Sequence, residues 1–466
     1  MKKIRHKKFL QTRAFMPLLL VSLTVFSCRK YVDIPPPQDQ LVSQSAFADD
    51  NTATATVVGI YTDMNSFNYQ FTNTLGNFMP AMSADEFYYA FTSFDAFKLN
   101  SLLPSNSYVS ILWSEPYSYI YHANAVLEGL KNSSGLSSGV KDRLTGEAEF
   151  VRAFCHFYLV NYFGDVPLIL NTDYKTNTNL PRTPAADVYA AIISDLTDAV
   201  NRIPDDYPDG ERIRPNKSAA NALLARAYLY TGKWAEAEAT ASLVIDDAQY
   251  QLLPDLTQVF LKNSGEAIWQ LRTVNTSTYG VNTWEGFNIV PATPTSRAYY
   301  NLYDQLVNAF EPGDQRKAQW TGTYTTSGTT YHFLYKYKTR TSSPVSEYSM
   351  VFRLAEQYLI RAEARIQQDK LDEGRDDLDA LRSRAGLADL PTAMSKDDLL
   401  LAVEQERRVE LFGEWGHRWF DLKRTNRADA VLGAEKPTWT PTAVLYPIPS
   451  TAILTNLNLK QNPGYN

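Results

Sequence analysis

The stretch from Leu224 to Val244 reads LARAYLYTGKWAEAEATASLV and predicts two short helices joined by a tight turn at Gly232. Small residues recur at Ala225, Ala237 and Ala241, so two antiparallel helices can approach closely. Tyr228 and Trp234 are large enough to fill the space between them. A helical hairpin of this kind buries its apolar face only when it stacks on further hairpins.

This spacing is that of a tetratricopeptide repeat, a helix–turn–helix unit of about 34 residues. A second pair, 352–368 with 371–385, keeps Ala362 but has Asp369 where the first pair has its turn glycine. Helical periodicity covers the two pairs and further stretches on both sides of them, namely 51–65, 115–131, 141–163, 185–203, 216–231, 234–246, 351–368, 371–385 and 397–414. The sequence therefore predicts a mainly α fold built from irregular, degenerate helix pairs.

Two long excursions interrupt the helical pattern, at 66–112 and 250–350. They are rich in Asn, Thr, Ser, Tyr and Phe, with short strand-like pieces at 267–271 and 331–335. Loops held by a rigid scaffold commonly carry recognition residues, so we expect a loop-rich, partly β face with a binding role.

The first 27 residues have the pattern of a signal peptide: six Lys or Arg residues, no acid, then an apolar run from Ala14 to Phe26. That run is too short for a bilayer core that needs about 20 apolar residues. It ends in Val25-Phe26-Ser27-Cys28, which resembles a bacterial lipobox, so Cys28 is the predicted lipid attachment site. Acyl chains add about 0.8 kcal/mol per buried methylene, and several on one cysteine, palmitate among them, hold a protein on a membrane.

The composition of the chain excludes some kinds of partner and favours others. The chain has 466 residues, 44% hydrophobic and 21% charged, with a formal net charge of −6 that becomes −12 once the six signal cations are removed. An acidic chain does not favour a phosphate-tracking surface, so we expect no nucleic-acid partner. The 29 Tyr, 22 Phe and 8 Trp exceed what a core usually requires, which leaves rings to face a ligand.

Motifs for catalysis are missing from the sequence. It contains no Gly-x-x-x-x-Gly-Lys-Ser/Thr, Gly-x-Gly-x-x-Gly, His-Glu-x-x-His or Gly-x-Ser-x-Gly. Glu406, Glu410 and Glu414 share one helical face, but each has an Arg or Lys within helical reach. We interpret 406–424 as a buried ion-pair network and expect no enzymatic activity, no cofactor and no metal site.

The segment 406–424 resembles the C-terminal signature of the SusD/RagB family of nutrient-binding outer-membrane lipoproteins. Further blocks resemble that family in the same order along the chain: 147–154 with Phe163-Gly164-Asp165-Val166-Pro167-Leu168, then 353–364 with 382–387, and finally Tyr446-Pro447-Ile448-Pro449 and 461–465. The resemblance covers 28–466 as one SusD-like domain after the 1–27 signal peptide. It implies four irregular tetratricopeptide units, no catalysis, and a partner TonB-dependent transporter of the SusC type.

It also implies an outward-facing, lipid-anchored protein of the outer membrane that binds a glycan for import. Import of oligopeptides and a ligand-free tetratricopeptide scaffold remain the alternatives. The apolar face of a sugar can lie on an aromatic ring while polar side chains bond its hydroxyls. On this basis the predicted ligand-binding residues, all within the two excursions, are Asp85, Tyr88, Tyr89, Phe91, Tyr279, Asn282, Trp284 and Arg297.

Overall fold

The computed structural model describes residues 43–274, 280–293 and 296–465. The chain divides into an N-terminal unit that ends at Ala46 and a body from Phe47 to Asn466. In the first unit a four-residue helix, α1 (Ser43–Ala46), is the described element. Everything below concerns the body.

Helices dominate the body. Before the second excursion they are α2 (Asp50–Met64), α3 (Thr74–Ser83), α4 (Asp95–Lys98), α5 (Ser107–Asn132), α6 (Ser138–Phe163), α7 (Tyr174–Asn177), α8 (Ala185–Arg202), α9 (Lys217–Tyr230) and α10 (Trp234–Ile245). Within and after the second excursion the helices are α11 (Trp284–Ile289), α12 (Asp304–Ala309), α13 (Gln315–Trp320), α14 (Leu354–Gln367), α15 (Leu371–Arg384), α16 (Lys396–Leu411), α17 (His417–Arg424), α18 (Ala428–Glu435) and α19 (Ser450–Thr455).

Long helices pack side by side in a row, which confirms the mainly α, tetratricopeptide-like scaffold. The row runs α5, α6, α8, α9, α10, α14, α15, with α16 also against α14. Ala225, Ala237 and Ala241 are fully buried in the packing of α9 and α10 against α14. In the α9–α10 turn Gly232 has a positive φ of 68°, and Asp369 takes the same role at 62° between α14 and α15. The second pair therefore keeps the turn without the glycine.

Two small sheets lie in the excursions. Their strands are β1 (Phe87–Tyr89), β2 (Ala267–Leu271), β3 (Tyr300–Leu302), β4 (Thr321–Thr326), β5 (Thr329–Leu334) and β6 (Ser349–Arg353). One sheet has the order β1-β3-β5-β4 and the other pairs β2 with β6, all antiparallel. The partly β excursions are thus confirmed, and the first sheet joins the two excursions to each other.

Two of the element boundaries that differ from the predicted ones have a visible cause. The helix expected over 115–131 begins at Ser107, because the side chain of Asn106 accepts hydrogen bonds from the N–H groups of Tyr108 and Val109 and caps it there. Pro116 lies inside this helix rather than at its start. The helix expected over 351–368 begins at Leu354, because the residues before it pair with β2 as β6.

The segment 406–424 lies in the interior, as predicted. Glu410 is bound by the guanidinium groups of Arg316 at 3.1 Å and Arg353 at 2.6 Å, and also by Arg384. Burial alone would raise the pKa of Glu410, but these three cations hold it well below its usual range. Across the described ranges no helix is long and apolar enough to span a membrane.

Candidate functional site

The first sheet brings the two excursions together. In the antiparallel register Tyr89 lies opposite Tyr300 and Tyr88 opposite Asn301. One residue further, the N–H of Ala90 donates to the carbonyl oxygen of Tyr299 at 2.7 Å. Phe91, two residues after the end of β1, therefore lies beside Tyr299, although 208 residues of sequence separate them.

Five rings form what we call the aromatic face: Tyr69, Tyr89, Phe91, Tyr108 and Tyr299. The centroids of Phe91 and Tyr299 are 5.6 Å apart, Tyr89 lies 5.7 Å from Phe91, and Tyr69 lies 6.3 Å from Tyr108. Phe91 is 52% exposed and Tyr299 43% exposed. Two exposed rings side by side are costly to leave in water unless something covers them.

Buried rings support the face from below. Phe94 is 3% exposed and lies 4.9 Å from Tyr89 and 5.1 Å from Tyr108, so it joins the two halves of the face. Tyr300 lies 5.0 Å from Tyr89 and 4.7 Å from Phe78 of α3. Partial burial raises the pKa of Tyr89 and of Tyr69 above the usual tyrosine value, so both hydroxyls stay protonated at neutral pH. The face presents neutral hydroxyl groups between its rings.

Arg297 borders the same rings. It is exposed, and its guanidinium carbon lies 5.6 Å from the centroid of Phe91. An arginine stacked on a ring keeps its planar set of five donors available for a ligand. Of the predicted residues, Tyr89, Phe91 and Arg297 therefore come together at this one place.

Trp284 lies at the start of α11, where it is half-buried and 6.0 Å from Phe287. It connects to the aromatic face through Asn288, whose side chain donates to the Trp284 carbonyl at 2.7 Å and to Asn68 at 2.8 Å. Asn68 directly precedes Tyr69 of the face. Trp284 is thus a neighbour of the face and shares none of the ring contacts described for it.

Three predicted residues are placed differently from expectation. Tyr88 points to the other side of β1 from Tyr89, because side chains alternate along a strand, and stacks on Tyr303 at 5.1 Å. Asn282 is 1% exposed and its amide oxygen accepts from the N–H of Ser346 at 2.6 Å, so it fastens a loop. The prediction that Asn282 bonds a sugar hydroxyl is therefore wrong.

Asp85 is likewise buried, at 1% exposure. Its carboxylate accepts two hydrogen bonds from Arg418, at 2.8 and 2.9 Å, and forms an ion pair with Arg408 at 2.7 Å. Burial alone would raise its pKa, but the two arginines hold the pKa below the usual value. Asp85 anchors the start of β1 to the interior and has no capacity left for a ligand.

Neighbouring polar contacts complete this anchorage. Glu86 accepts from the N–H of Gly413 at 3.2 Å, and Asn77 of α3 accepts from the N–H of Trp415 at 2.7 Å. Asn77 also donates to Glu285 of α11 at 2.8 Å. The segment 406–424 therefore supports both excursions from behind.

The remaining predicted site residues, Cys28 and Tyr279, lie outside the described residues. Within the described ranges no group of three or more His, Cys, Asp or Glu side chains is arranged to hold a metal ion. Sequence reasoning missed Tyr69 and Tyr108 as members of the face. Both lie within the predicted 66–112 excursion, and its many aromatic residues were the one sign that they could belong to a binding face. Nothing in the sequence placed them next to Phe94.

A concavity of about 520 Å³ lies between α5, α7 and α19. Trp113, Tyr117, Tyr121 and Tyr174 line it together with uncharged polar residues. None of the five rings of the aromatic face lines it. Tyr174, 68% exposed, therefore offers an exposed ring away from the face for comparison.

Family comparisons fit this architecture. Residues 30–229 match a family described as starch-binding and associating with the outer membrane, and residues 270–465 match the SusD family. The chain belongs to the SusD/RagB family. SusD-like protein P2 of Formosa agariphila is 27% identical over 430 residues, covering 77% of this chain and 81% of that protein. The starch-binding protein SusD of Bacteroides thetaiotaomicron is 26% identical, covering 72% of this chain and 75% of that protein.

Solved SusD-type structures share the fold. A laminarin-binding SusD-like protein has a TM-score of 0.74 and 25% identity, covering 90% of this SusD-family chain and all of that chain. A SusD superfamily protein of Bacteroides vulgatus has a TM-score of 0.77 and 21% identity, with 90% of this chain covered and all of that one. The scaffold here is thus a SusD-superfamily fold.

Proposed function

We propose that this SusD-family protein binds a glycan on its aromatic face. The observation that carries the proposal is the pair of exposed rings, Phe91 and Tyr299, held 5.6 Å apart by strand pairing between the two excursions. Sugar rings present C–H faces that lie on such aromatic platforms, and the hydroxyls of Tyr89 and Tyr69 offer neutral hydrogen-bond partners. The similarity to a laminarin-binding SusD-like protein supports a glycan over a peptide.

The protein acts, in this proposal, as an outer-membrane lipoprotein. Lipid on Cys28 anchors it facing outward, and it passes the bound glycan to a SusC-like TonB-dependent transporter for import. Family membership and the lipobox-like Val25-Phe26-Ser27-Cys28 support this role. Recovery of the anchored protein from solubilised outer membranes together with a TonB-dependent transporter tests the partnership.

Catalysis forms no part of the proposal. Glu410 is saturated by three guanidinium groups, and Glu414 by Arg353 at 2.8 Å and Lys336 at 2.5 Å. A glycosidase needs one carboxyl group that is free to give up a proton and a second that is free to attack or activate water. We therefore expect glycans to remain intact in the presence of the pure protein.

Calorimetry with a panel of oligosaccharides tests glycan binding, with oligopeptides as the comparison. Phe91→Ala and Tyr299→Ala should each weaken binding by roughly tenfold to a hundredfold, by analogy with the 1–3 kcal/mol lost per stacked base on aromatic side chains. Tyr174→Ala is the matched control, because Tyr174 is an exposed ring in the concavity between α5, α7 and α19, and it should change nothing. Trp284→Ala tests whether the ligand extends from the face toward α11.

Equal affinity in wild type, Phe91→Ala and Tyr299→Ala would place the ligand elsewhere. Tight binding of oligopeptides and none of any glycan would favour the oligopeptide alternative. The absence of binding by any probe would favour a ligand-free scaffold.

A further inference from the structure

Arg297 differs from the other arginines of the described ranges. Most of them form ion pairs with carboxylates, and those without one, Arg182, Arg212 and Arg340, donate to backbone carbonyl groups. Among the described residues Arg297 has no carboxylate within 4 Å and no hydrogen-bond acceptor. Its guanidinium group lies on the ring of Phe91 and close enough to Tyr88 to act on the pKa of that hydroxyl.

Two other cations lie on rings near the first sheet, and the protein already uses both. Arg340 lies 4.1 Å from the centroid of Phe287 but donates to the carbonyl oxygens of Phe287 and Val290 at the end of α11. Lys98 lies 5.3 Å from the centroid of Tyr88 and has Asp95 at 4.0 Å. Of these three, Arg297 is the one whose donors meet no acceptor in the part of the chain that the structure describes.

Position links this guanidinium to the two exposed rings. Arg297 and Tyr299 are two residues apart in the segment that leads into β3. Both border Phe91, at 5.6 Å in each case. A sugar lying on Phe91 and Tyr299 therefore has Arg297 at its edge.

The chemistry of the Arg297 guanidinium group indicates which class of ligand it binds. A planar guanidinium matches a carboxylate or a sulfate group with two parallel hydrogen bonds, and such charge-assisted bonds are stronger than those to neutral hydroxyls. The mature chain is acidic, with a formal charge of −12 after loss of the signal cations. One cation at the binding face therefore does not make the protein as a whole attract anions, and its effect is local. Within the described ranges no carboxylate of the protein neutralises it.

We propose that the glycan is anionic and that Arg297 binds its acidic group while the sugar ring lies on Phe91 and Tyr299. This inference rests on glycan binding at the aromatic face and adds the chemical class of the glycan. A uronate carboxylate and a sulfate ester supply the same chemistry at this position.

Matched glycan pairs test the inference. A hexuronate oligosaccharide is compared with its carboxyl-reduced, neutral twin, and a sulfated galactan oligosaccharide with its desulfated twin, by calorimetry on the full mature chain. At least one charged member should bind about tenfold or more tighter than its twin, the scale of one charge-assisted hydrogen bond. That preference should shrink as ionic strength rises, because salt screens exposed charges.

Variants assign the preference to one side chain. Arg297→Gln should remove it while leaving the affinity for the neutral twin nearly unchanged, and Arg297→Lys should keep part of it. Lys233→Gln is the matched control, because Lys233 is also an exposed cation near a ring, 5.7 Å from Tyr228 in the α9–α10 turn, and it should keep the full preference.

Several results would overturn the inference. These are a neutral twin that binds as tightly as the charged member in both pairs, no binding of either charged member, or an Arg297→Gln variant that retains the preference. Neutral glycans that bind tightly and lose affinity in Phe91→Ala would still uphold glycan binding at the face, so the two proposals fail separately.

Discussion

Replacing Glu410 by glutamine tests whether the segment 406–424 serves the fold rather than a ligand. The Glu410 side chain is fully buried and accepts from Arg353 at 2.6 Å and Arg316 at 3.1 Å, with Arg384 as a third partner. Removing one member of a buried ion-pair network typically costs about 3–5 kcal/mol, because the partners are left buried with uncompensated charge. Glu406 still pairs with Arg316 and Glu414 with Arg353, so part of that charge stays neutralised. The loss in free energy of unfolding should therefore not exceed the upper end of this range.

Urea denaturation at pH 7 measures the loss. Glu410→Gln should lower the free energy of unfolding by about 3–5 kcal/mol. The same substitution at exposed Glu373 should change it by less than about 0.5 kcal/mol. Folded Glu410→Gln should bind glycan like wild type, because Glu410 lies behind the aromatic face. A loss below about 1 kcal/mol, or lost binding with unchanged stability, would refute the reasoning.

The pH dependence provides a second check on the same residue. The pKa of Glu410 in the folded state lies well below its unfolded value of 4.5, so the folded state holds fewer protons than the unfolded state at mildly acidic pH. Its contribution to stability is therefore present above pH 4.5 and is lost as pH falls toward the folded pKa. The difference between wild type and Glu410→Gln should shrink below pH 4.5. A difference that is constant with pH would contradict the ionised, paired state of this carboxylate.

Two further predictions concern a buried acid and the membrane anchor. Burial raises the pKa of Glu86 from 4.5 to about 8, so wild type should lose stability as pH rises from 4.5 to about 8, whereas Glu86→Gln should not. The melting temperatures of the two proteins should therefore diverge in favour of the variant across that range. Melting temperatures that change in parallel would contradict a protonated Glu86. Cys28→Ala should release the protein from the membrane fraction, measured by sedimentation and immunoblot, and a variant that still sediments with outer membranes would exclude lipid on Cys28.

Helix positions were predictable because they depend on local pattern. The helices predicted over 185–203 and 234–246 end within one residue of α8 and α10, as their apolar periodicity indicates. Local rules also misled at Pro116, which favours a helix start. The cap that begins α5 at Ser107 lies ten residues earlier, in a stretch whose many rings and polar residues resembled a loop.

The site was predictable only in part, because it depends on partners that are distant in sequence. Ring-rich excursions were the correct region, and Phe91, Tyr89 and Arg297 do meet there. Asp85 was chosen because it precedes those rings, but its partner Arg418 is 333 residues away. Asn282 failed for the same reason, since the loop that it fastens begins 60 residues later at Ser342. Nothing local distinguishes a polar residue that holds a loop from one that meets a ligand.

The burial of Asp85 explains how a loop-built face is kept ready for a ligand. β1 has three residues and pairs with one neighbouring strand, so its own hydrogen bonds fix it weakly. Asp85 and Glu86, directly before it, are bound to Arg418 and to the Gly413 N–H of the interior segment. Ordering side chains and loops on binding costs affinity, and a platform that is already fixed avoids that cost. The Asp85–Arg418 ion pair thus contributes to binding without touching the ligand, by fixing the strand that carries Tyr89 and leads directly to Phe91.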